Sequence, residues 1–216
     1  MSRIKMAFPR DILAAIALVA VVAFASAAVA EDERGEKLFD FCAQCHGVDG
    51  SGNQLAQAPS IAGLETSYVQ KQLENFRAGI RGAHPDDFAG LRMHPMALQL
   101  VKDEDLVAVA AYVGNLPIVK PAPSLEGGDE ARGSELYKPC VACHGADGNG
   151  VKALSGPALN HSNDWYLLDQ LKKFKSGVRG GDPRDLSGAL MGPMTFALTD
   201  EQAMKDVIAY IMTLAP

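Results

Sequence analysis

Two stretches of the chain, Cys42-Ala-Gln-Cys45-His46 and Cys140-Val-Ala-Cys143-His144, repeat one pattern of two cysteines and an adjacent histidine. Together they use all 4 cysteines of the 216-residue chain. Cys-x-x-Cys-His is the attachment motif of c-type haem, in which both thiols form thioethers with the ring and the histidine can bind the iron. The sequence therefore predicts two covalently bound haem c groups. Their predicted attachment residues are Cys42, Cys45 and His46, and Cys140, Cys143 and His144.

Other uses of a Cys-x-x-Cys pair leave part of this pattern unexplained. A zinc site joins two such pairs in one place, whereas here each pair stands in its own repeat. A thioredoxin-like redox pair needs a βαβ context that the sequence lacks. A disulfide would account for the cysteines of an exported protein but not for the histidine beside them.

The two motifs belong to an internal duplication. When the chain is shifted by 98 positions, 29 of the 86 residue pairs from Glu33/Ala131 to Ile118/Pro216 are identical, and no gap is needed. This period is too long for a solenoid repeat, so we expect two domains of one kind. The first is predicted to cover residues 31–116 and the second residues 131–216, with a Pro- and Gly-rich linker over residues 117–130.

Both domains are predicted to be all-α. Apolar residues at helical spacing, separated by loops rich in Gly and Pro, indicate three helices in each unit and no strand. The core that these helices supply is small for a unit of about 85 residues, which suggests that a cofactor fills part of the interior. The predicted helices are Glu33–Gln44, Thr66–Gly79, Asp103–Leu116, Glu130–Ala142, Asn163–Gly177 and Asp200–Leu214.

Residues 1–30 have the features of a secretory signal peptide. Arg3, Lys5 and Arg10 precede 19 residues without a charge, which end in the cleavage pattern Ala-Val-Ala at positions 28–30. The alternative is an uncleaved anchor that associates the protein with a membrane, because 19 apolar residues can just span a bilayer. In both cases we expect the rest of the chain outside the cytoplasm.

The chain is acidic, with a formal net charge of -6 and a pI near 5.3. A nucleic-acid partner is therefore not expected, because the basic footprint of such proteins is missing. One basic cluster stands on the predicted middle helix of the second domain. It is interpreted either as a solvated helix face or as a docking patch for an acidic redox partner, and it comprises Lys172, Lys173 and Lys175.

The order of these features resembles that of tandem two-haem class I cytochromes c, and most closely the cytochrome c4 family of periplasmic electron carriers. The resemblance runs from about Glu33 to the C-terminus. It includes a helix, Cys-x-x-Cys-His-Gly, a loop with Pro, a second helix, a loop with Met and a final helix, and this order occurs twice. The resemblance implies a periplasmic protein with two small helical domains, each wrapped around one haem.

The resemblance also implies a methionine as the second axial ligand of each iron. The family's axial Met stands seven residues before a Leu at the start of the final helix, and Met93 and Met191 match this position. Met96 and Met194 remain the alternatives. Three histidines lack a counterpart in the other repeat and are not expected to bind iron: His84, His94 and His161.

Further contacts of the haems are expected from four positions of the repeat. In the family, the iron-bound His donates its other N–H to the carbonyl of a loop Pro, which here is Pro59 or Pro157. Arg81 and Arg179 recur in Arg-Gly pairs after the second helix. Each is a candidate to neutralise a haem propionate, with a solvated loop charge as the alternative.

A haem with His and Met ligands has no open position for a substrate and alternates between Fe(II) and Fe(III). The predicted function is therefore electron transport and not catalysis. The protein would take electrons from a quinol-oxidising complex or a dehydrogenase and deliver them to a terminal oxidase or reductase. Two alternatives stay open: a haem enzyme, such as a peroxidase or a thiosulfate-oxidising cytochrome, and a dedicated cytochrome subunit of one periplasmic dehydrogenase.

Overall fold

A computed structural model describes residues 33–216, and its helices account for all the regular elements in this range. The expected all-α fold is thus confirmed. Among these residues no helix is both long enough and apolar enough to cross a membrane. The predicted signal peptide, residues 1–30, lies outside the described residues.

The two units have closely similar helix orders. In the first, α1 covers residues 33–46 and is followed by α2 (Thr66–Arg77), α3 (Phe88–Leu98) and α4 (Asp103–Asn115). The second unit contains α5 (Glu130–Tyr137), α6 (Val141–His144), α7 (Asp164–Ser176), α8 (Leu186–Ala189), α9 (Met191–Thr195) and α10 (Glu201–Thr213).

The segments that carry the methionines are helical, although the sequence predicts them as loops. Asp87 begins α3 by accepting a hydrogen bond from the backbone N–H of Gly90 at 3.0 Å. Asp185 begins α8 through Gly188 at the same distance. A carboxylate at the N-cap satisfies a backbone donor that would otherwise have no partner, which is why these short helices form despite their Gly and Pro content.

The first and last helices of each unit cross at a glycine. A Cβ atom built on Gly133 of α5 would lie 2.0 Å from the carbonyl oxygen of Asp206 in α10. A Cβ on Gly35 of α1 would lie 2.5 Å from the carbonyl oxygen of Ala108 in α4. Only a residue without a side chain allows the two helices to approach this closely. One apolar core lies beside each helix crossing. The first contains Phe39, Leu64, Val69, Leu100, Leu106, Val109, Ala110 and Val113, and the second contains Tyr137, Leu167, Leu168, Leu198, Ala203, Met204, Val207, Ile208, Ile211 and Met212.

The segment between the units is attached to the second one. The buried carboxylate of Asp164, at the start of α7, accepts hydrogen bonds from the hydroxyl of Ser124 at 2.7 Å and from the backbone N–H of Leu125 at 2.6 Å. The side chain of Gln202 donates to the carbonyl of Gly127 at 2.6 Å. These contacts make the segment part of the second unit's surface.

The helix crossing predicts that Gly133→Ala destabilises the second unit. The added methyl group must displace the backbone of α10, and overpacking of this kind costs about 1–3 kcal/mol. Thermal or urea unfolding measures the effect. Ser134→Ala, one residue further along the same helix, is the matched control and should change stability by less than about 0.5 kcal/mol. Equal stability of the two variants would show that the crossing tolerates a wider separation.

Candidate haem sites and the contact between them

The cysteines of both motifs lie at the end of the first helical segment of their unit. Cys42 and Cys45 stand in the last turns of α1, and Cys140 and Cys143 stand in a 3₁₀ turn and in α6. All four thiols are free. Burial raises the pKa of the Cys42 thiol to about 11 and also raises the pKa of Cys140. The Cys42 and Cys140 side chains are therefore protonated thiols at pH 7.

The histidine of each motif is buried and held by a proline carbonyl. The Nδ1 atom of His46 lies 2.8 Å from the carbonyl oxygen of Pro59, and that of His144 lies 2.8 Å from the carbonyl oxygen of Pro157. Burial lowers the pKa of both imidazoles. Each ring is therefore neutral at pH 7, with Nδ1–H donating to the carbonyl. The lone pair of Nε2, on the other side of the ring, can then bind a metal.

The methionines of each unit differ in exposure. Met93 in α3 and Met191 at the start of α9 are partly buried, whereas Met96 and Met194 are exposed.

The helical segments around these methionines also expose large apolar side chains to solvent. Equivalent residues do so in both units, namely Phe88 and Leu186, and Leu98 and Phe196. Such surfaces are energetically unfavourable in water and suit the face of an apolar ring.

A cleft of about 270 Å³ opens at the contact between the two units. Gly156, beside Pro157, lines one side, and Leu186 and Ser187 in α8 line the other. Tyr68 and Gln72 of the first unit close its end.

Arg81 and Arg179 cross the contact between the units in a symmetric arrangement. Arg81 donates to the hydroxyl of Tyr166 at 2.9 Å and to Gln170 at 3.1 Å. Arg179 donates to the hydroxyl of Tyr68 at 3.2 Å and to Gln72 at 3.1 Å. Burial opposes ionisation of Tyr166, but the charges of Arg81 and Arg179 outweigh it and lower the pKa of this phenol.

Both guanidinium groups retain an unused donor. The Nε atoms of Arg81 and Arg179 are buried and have no hydrogen-bond partner. A buried, charged N–H group without an acceptor is costly, and a carboxylate is the acceptor that a guanidinium group binds best. The two propionates of a haem are such carboxylates. Together with the apolar helix faces, these donors show that the residues present fit a haem in each unit.

A second layer of contacts surrounds the arginines. The Asn75 side chain of the first unit donates to the Asp185 carboxylate at 3.3 Å, and Lys173 of the second unit lies 2.8 Å from the Asp87 carboxylate. At the edge of the contact, Lys152 of the second unit forms an ion pair with Glu65 at 2.5 Å.

The lysine cluster predicted on the middle helix does not form one exposed face. Lys173 is buried in the contact between the units, and Lys172 forms an ion pair with Glu201 at 2.7 Å. Lys175 donates to the backbone carbonyls of Leu198 and Thr199. Both interpretations, a solvated helix face and a docking patch, fail for Lys173, because spacing along one helix does not show which of its faces the other unit covers.

The remaining histidines have other surroundings. His94 Nδ1 lies 2.5 Å from the carbonyl oxygen of Phe76, and His84 lies beside Asp86 at the surface. His161 is buried, with Nδ1 2.9 Å from the side-chain oxygen of Asn160.

The two glutamines that accept hydrogen bonds from the arginines were not predicted from the sequence. Gln72 and Gln170 are equivalent in the duplication and identical, as are Tyr68 and Tyr166. Identity at the shift of 98 positions was therefore the available signal. Neither residue type carries a haem signature by itself, so the signal could be interpreted only once the contact between the units was known.

The chain is similar to known proteins over nearly all of its described length. A family profile described as Cytochrome c matches twice, at residues 33–117 and 130–215. A protein of Stutzerimonas stutzeri named thiosulfate dehydrogenase electron acceptor is 37% identical over 173 residues, which are 74% of this chain and 73% of that protein. Cytochrome c4 from the same species is 30% identical over 164 residues, or 72% of this chain and 77% of that protein.

Solved structures show the same similarity. The thiosulfate dehydrogenase TsdBA of Marichromatium purpuratum matches with a TM-score of 0.69 and 34% identity over 85% of this chain. That match spans 40% of the TsdBA chain. Reduced recombinant cytochrome c4 from Pseudomonas stutzeri matches with a TM-score of 0.66 and 26% identity, over 85% of this chain and 98% of that chain.

Proposed function

The chain belongs to the cytochrome c family, and from this membership we propose that it carries electrons away from a periplasmic thiosulfate dehydrogenase. Cytochrome c4-like proteins with two haem c groups are electron carriers and not catalytic enzymes, so the expected function class is confirmed. The observation that supports this donor is the 37% identity with a thiosulfate dehydrogenase electron acceptor, which exceeds the 30% identity with cytochrome c4 from the same species.

The proposal assigns the haem-binding roles as follows. Cys42, Cys45, Cys140 and Cys143 hold the two rings covalently. A bound haem supplies one-electron chemistry at its iron, which alternates between Fe(II) and Fe(III). All other functions belong to the chain, which excludes water from the metal and keeps both ligands in place in either oxidation state.

The axial ligands that we propose are one histidine and one methionine in each unit. His46 and His144 are held by the carbonyls of Pro59 and Pro157, so that each ring keeps one orientation. Met93 and Met191 stand at equivalent positions of the two units, and both side chains are less exposed than those of Met96 and Met194. We therefore prefer Met93 and Met191 as the ligands.

Arg81 and Arg179 are proposed to bind haem propionates through the Nε–H groups that have no protein acceptor. Since both arginines also donate to the opposite unit, this assignment brings the propionate edges of the two haems to one contact. Electrons could then pass between the units without leaving the protein.

The remaining parts of the proposal concern the cellular location of the protein and its redox partners. We place the protein in the periplasm, exported by residues 1–30, with attachment to the membrane through the same segment as the alternative. Its acceptor would be a terminal oxidase or reductase. A relative named as subunit FixP of a cbb3-type cytochrome c oxidase, 27% identical over 154 residues, supports an oxidase as the acceptor.

The ligand assignment predicts different effects of neighbouring methionines. Met93→Ala should remove the sulfur ligand of the first iron, halve the weak near-infrared band of ferric Fe–S(Met) bonds and lower that haem's reduction potential. Met191→Ala should do the same for the second iron. Met96→Ala and Met194→Ala are the matched controls and should leave the band intact. Loss of the band in the control variants instead would assign the ligands to Met96 and Met194.

The donor assignment is tested by mixing the oxidised protein with thiosulfate. Thiosulfate alone should leave both haems ferric, because their axial positions are filled. A catalytic amount of thiosulfate dehydrogenase should then reduce both haems, which is followed by the visible absorbance of ferrous haem c. Reduction by thiosulfate alone would identify the chain as an enzyme. Reduction by a quinol-oxidising complex, but not by the dehydrogenase, would contradict this donor and leave the carrier function intact.

A further inference from the structure

Two side chains that flank Met93 bond to other segments of the first unit. Arg92 precedes Met93 in α3 and donates to the carbonyl oxygen of Ala56 at 2.6 Å and to the side-chain oxygen of Gln57 at 3.2 Å. Ala56 and Gln57 belong to the loop that leads to Pro59, whose carbonyl holds the histidine of this unit. Arg92 therefore connects the methionine side of the first haem site to its histidine side.

The second side chain, His94, connects α3 to the end of α2. Its Nδ1 atom lies 2.5 Å from the carbonyl oxygen of Phe76, which stands in the last turn of α2. A carbonyl oxygen can only accept, so Nδ1 carries the hydrogen of this bond. The last carbonyls of a helix carry a partial negative charge, which makes them good acceptors. His94 therefore fixes the position of Met93 relative to α2.

The helix around Met93 lacks one of its own hydrogen bonds. Pro95 stands inside α3 and has no backbone N–H, so the carbonyl of Leu91 loses its α-helical donor. The capping bond of Asp87 fixes only the start of the helix, before Met93. Hydrogen bonds from outside α3 therefore matter most in the part of the helix that carries the methionine.

We propose that Arg92 and His94 are positioning residues that keep the Met93 sulfur at the first iron. Another ligand can take this coordination position only when the methionine moves away, and that movement must break or strain both hydrogen bonds. The bonds therefore favour the state in which methionine is bound over the state that is open to small ligands. The inference rests on the proposed function, since it assumes that Met93 binds the iron.

The test is a competition between Met93 and added imidazole in the full-length protein with its haems. Imidazole is a good probe because its nitrogen is a common iron ligand. The near-infrared band of ferric Fe–S(Met) bonds measures how much methionine has been displaced. In the Met191→Ala background this band reports the first iron alone, so every variant is compared in that background.

Two substitutions remove the hydrogen bonds with little change of shape. His94→Phe keeps an aromatic ring without a donor, and Arg92→Met keeps an unbranched side chain without a donor. Each should make imidazole bind the first iron about two- to tenfold more tightly, because one net hydrogen bond shifts an equilibrium by about this factor. His94→Gln and Arg92→Lys keep a donor and should stay closer to the parent protein.

Arg34→Gln is the matched control for a merely structural role. Arg34 also joins distant segments of the first unit, since it donates to Asp105 at 2.8 Å, but its partner lies in α4 and not in α3. Its replacement should lower the thermal unfolding temperature without changing the affinity for imidazole. Thermal unfolding is recorded for every variant, so that loss of stability is measured separately from loss of the methionine ligand.

Each outcome decides between the two proposals. If His94→Phe and Arg92→Met bind imidazole no more tightly than Arg34→Gln, the inference is wrong. It is also wrong if His94→Gln binds imidazole as tightly as His94→Phe. In both cases the band of the native protein still supports the methionine ligands and the carrier function. Absence of this band from the native protein would overturn the methionine ligands and this inference together.

Discussion

Two guanidinium groups, those of Arg81 and Arg179, meet in the contact between the units, and the arrangement around them follows from the cost of keeping charges out of water. Removing an ion from water costs several kcal/mol unless its hydrogen bonds are replaced. Tyrosine and glutamine oxygens from both units replace most of them, while the two Nε–H groups keep no protein acceptor. In the proposed function, haem propionates complete the set and provide the negative charge that these neutral acceptors lack.

The need for hydrogen-bond acceptors around both arginines explains which residue pairs in the contact are identical in the two halves. Residues that accept from an arginine of the opposite unit must match in both halves, because each half is donor to and acceptor from the other. Tyr68 and Tyr166 are identical for this reason, and so are Gln72 and Gln170. At other positions of the duplication the halves differ, as at Gly63 and His161. The symmetric contact is thus a property of the pair of units and not of either unit alone.

Much of the fold and of the haem sites could be predicted because those features are local in sequence. Spacing along the chain defines the Cys-x-x-Cys-His motifs, the helix positions and the internal duplication. The helices that carry Met93 and Met191 were missed, because they depend on the single capping bonds of Asp87 and Asp185 in segments with several helix-breaking residues. The burial of Lys173 was missed for a different reason, since its carboxylate partner lies 86 positions away in the other unit.

The duplicated design limits where the two haem sites can become different. The attachment motifs must stay alike, because both serve the same covalent chemistry and the same histidine orientation. The helix crossings at Gly35 and Gly133 must stay alike because a side chain would not fit. A polar position inside the contact is less restricted, since an amide and an ammonium group can both donate to a carboxylate. Position 173 is such a place, and a change there alters charge without removing a hydrogen bond.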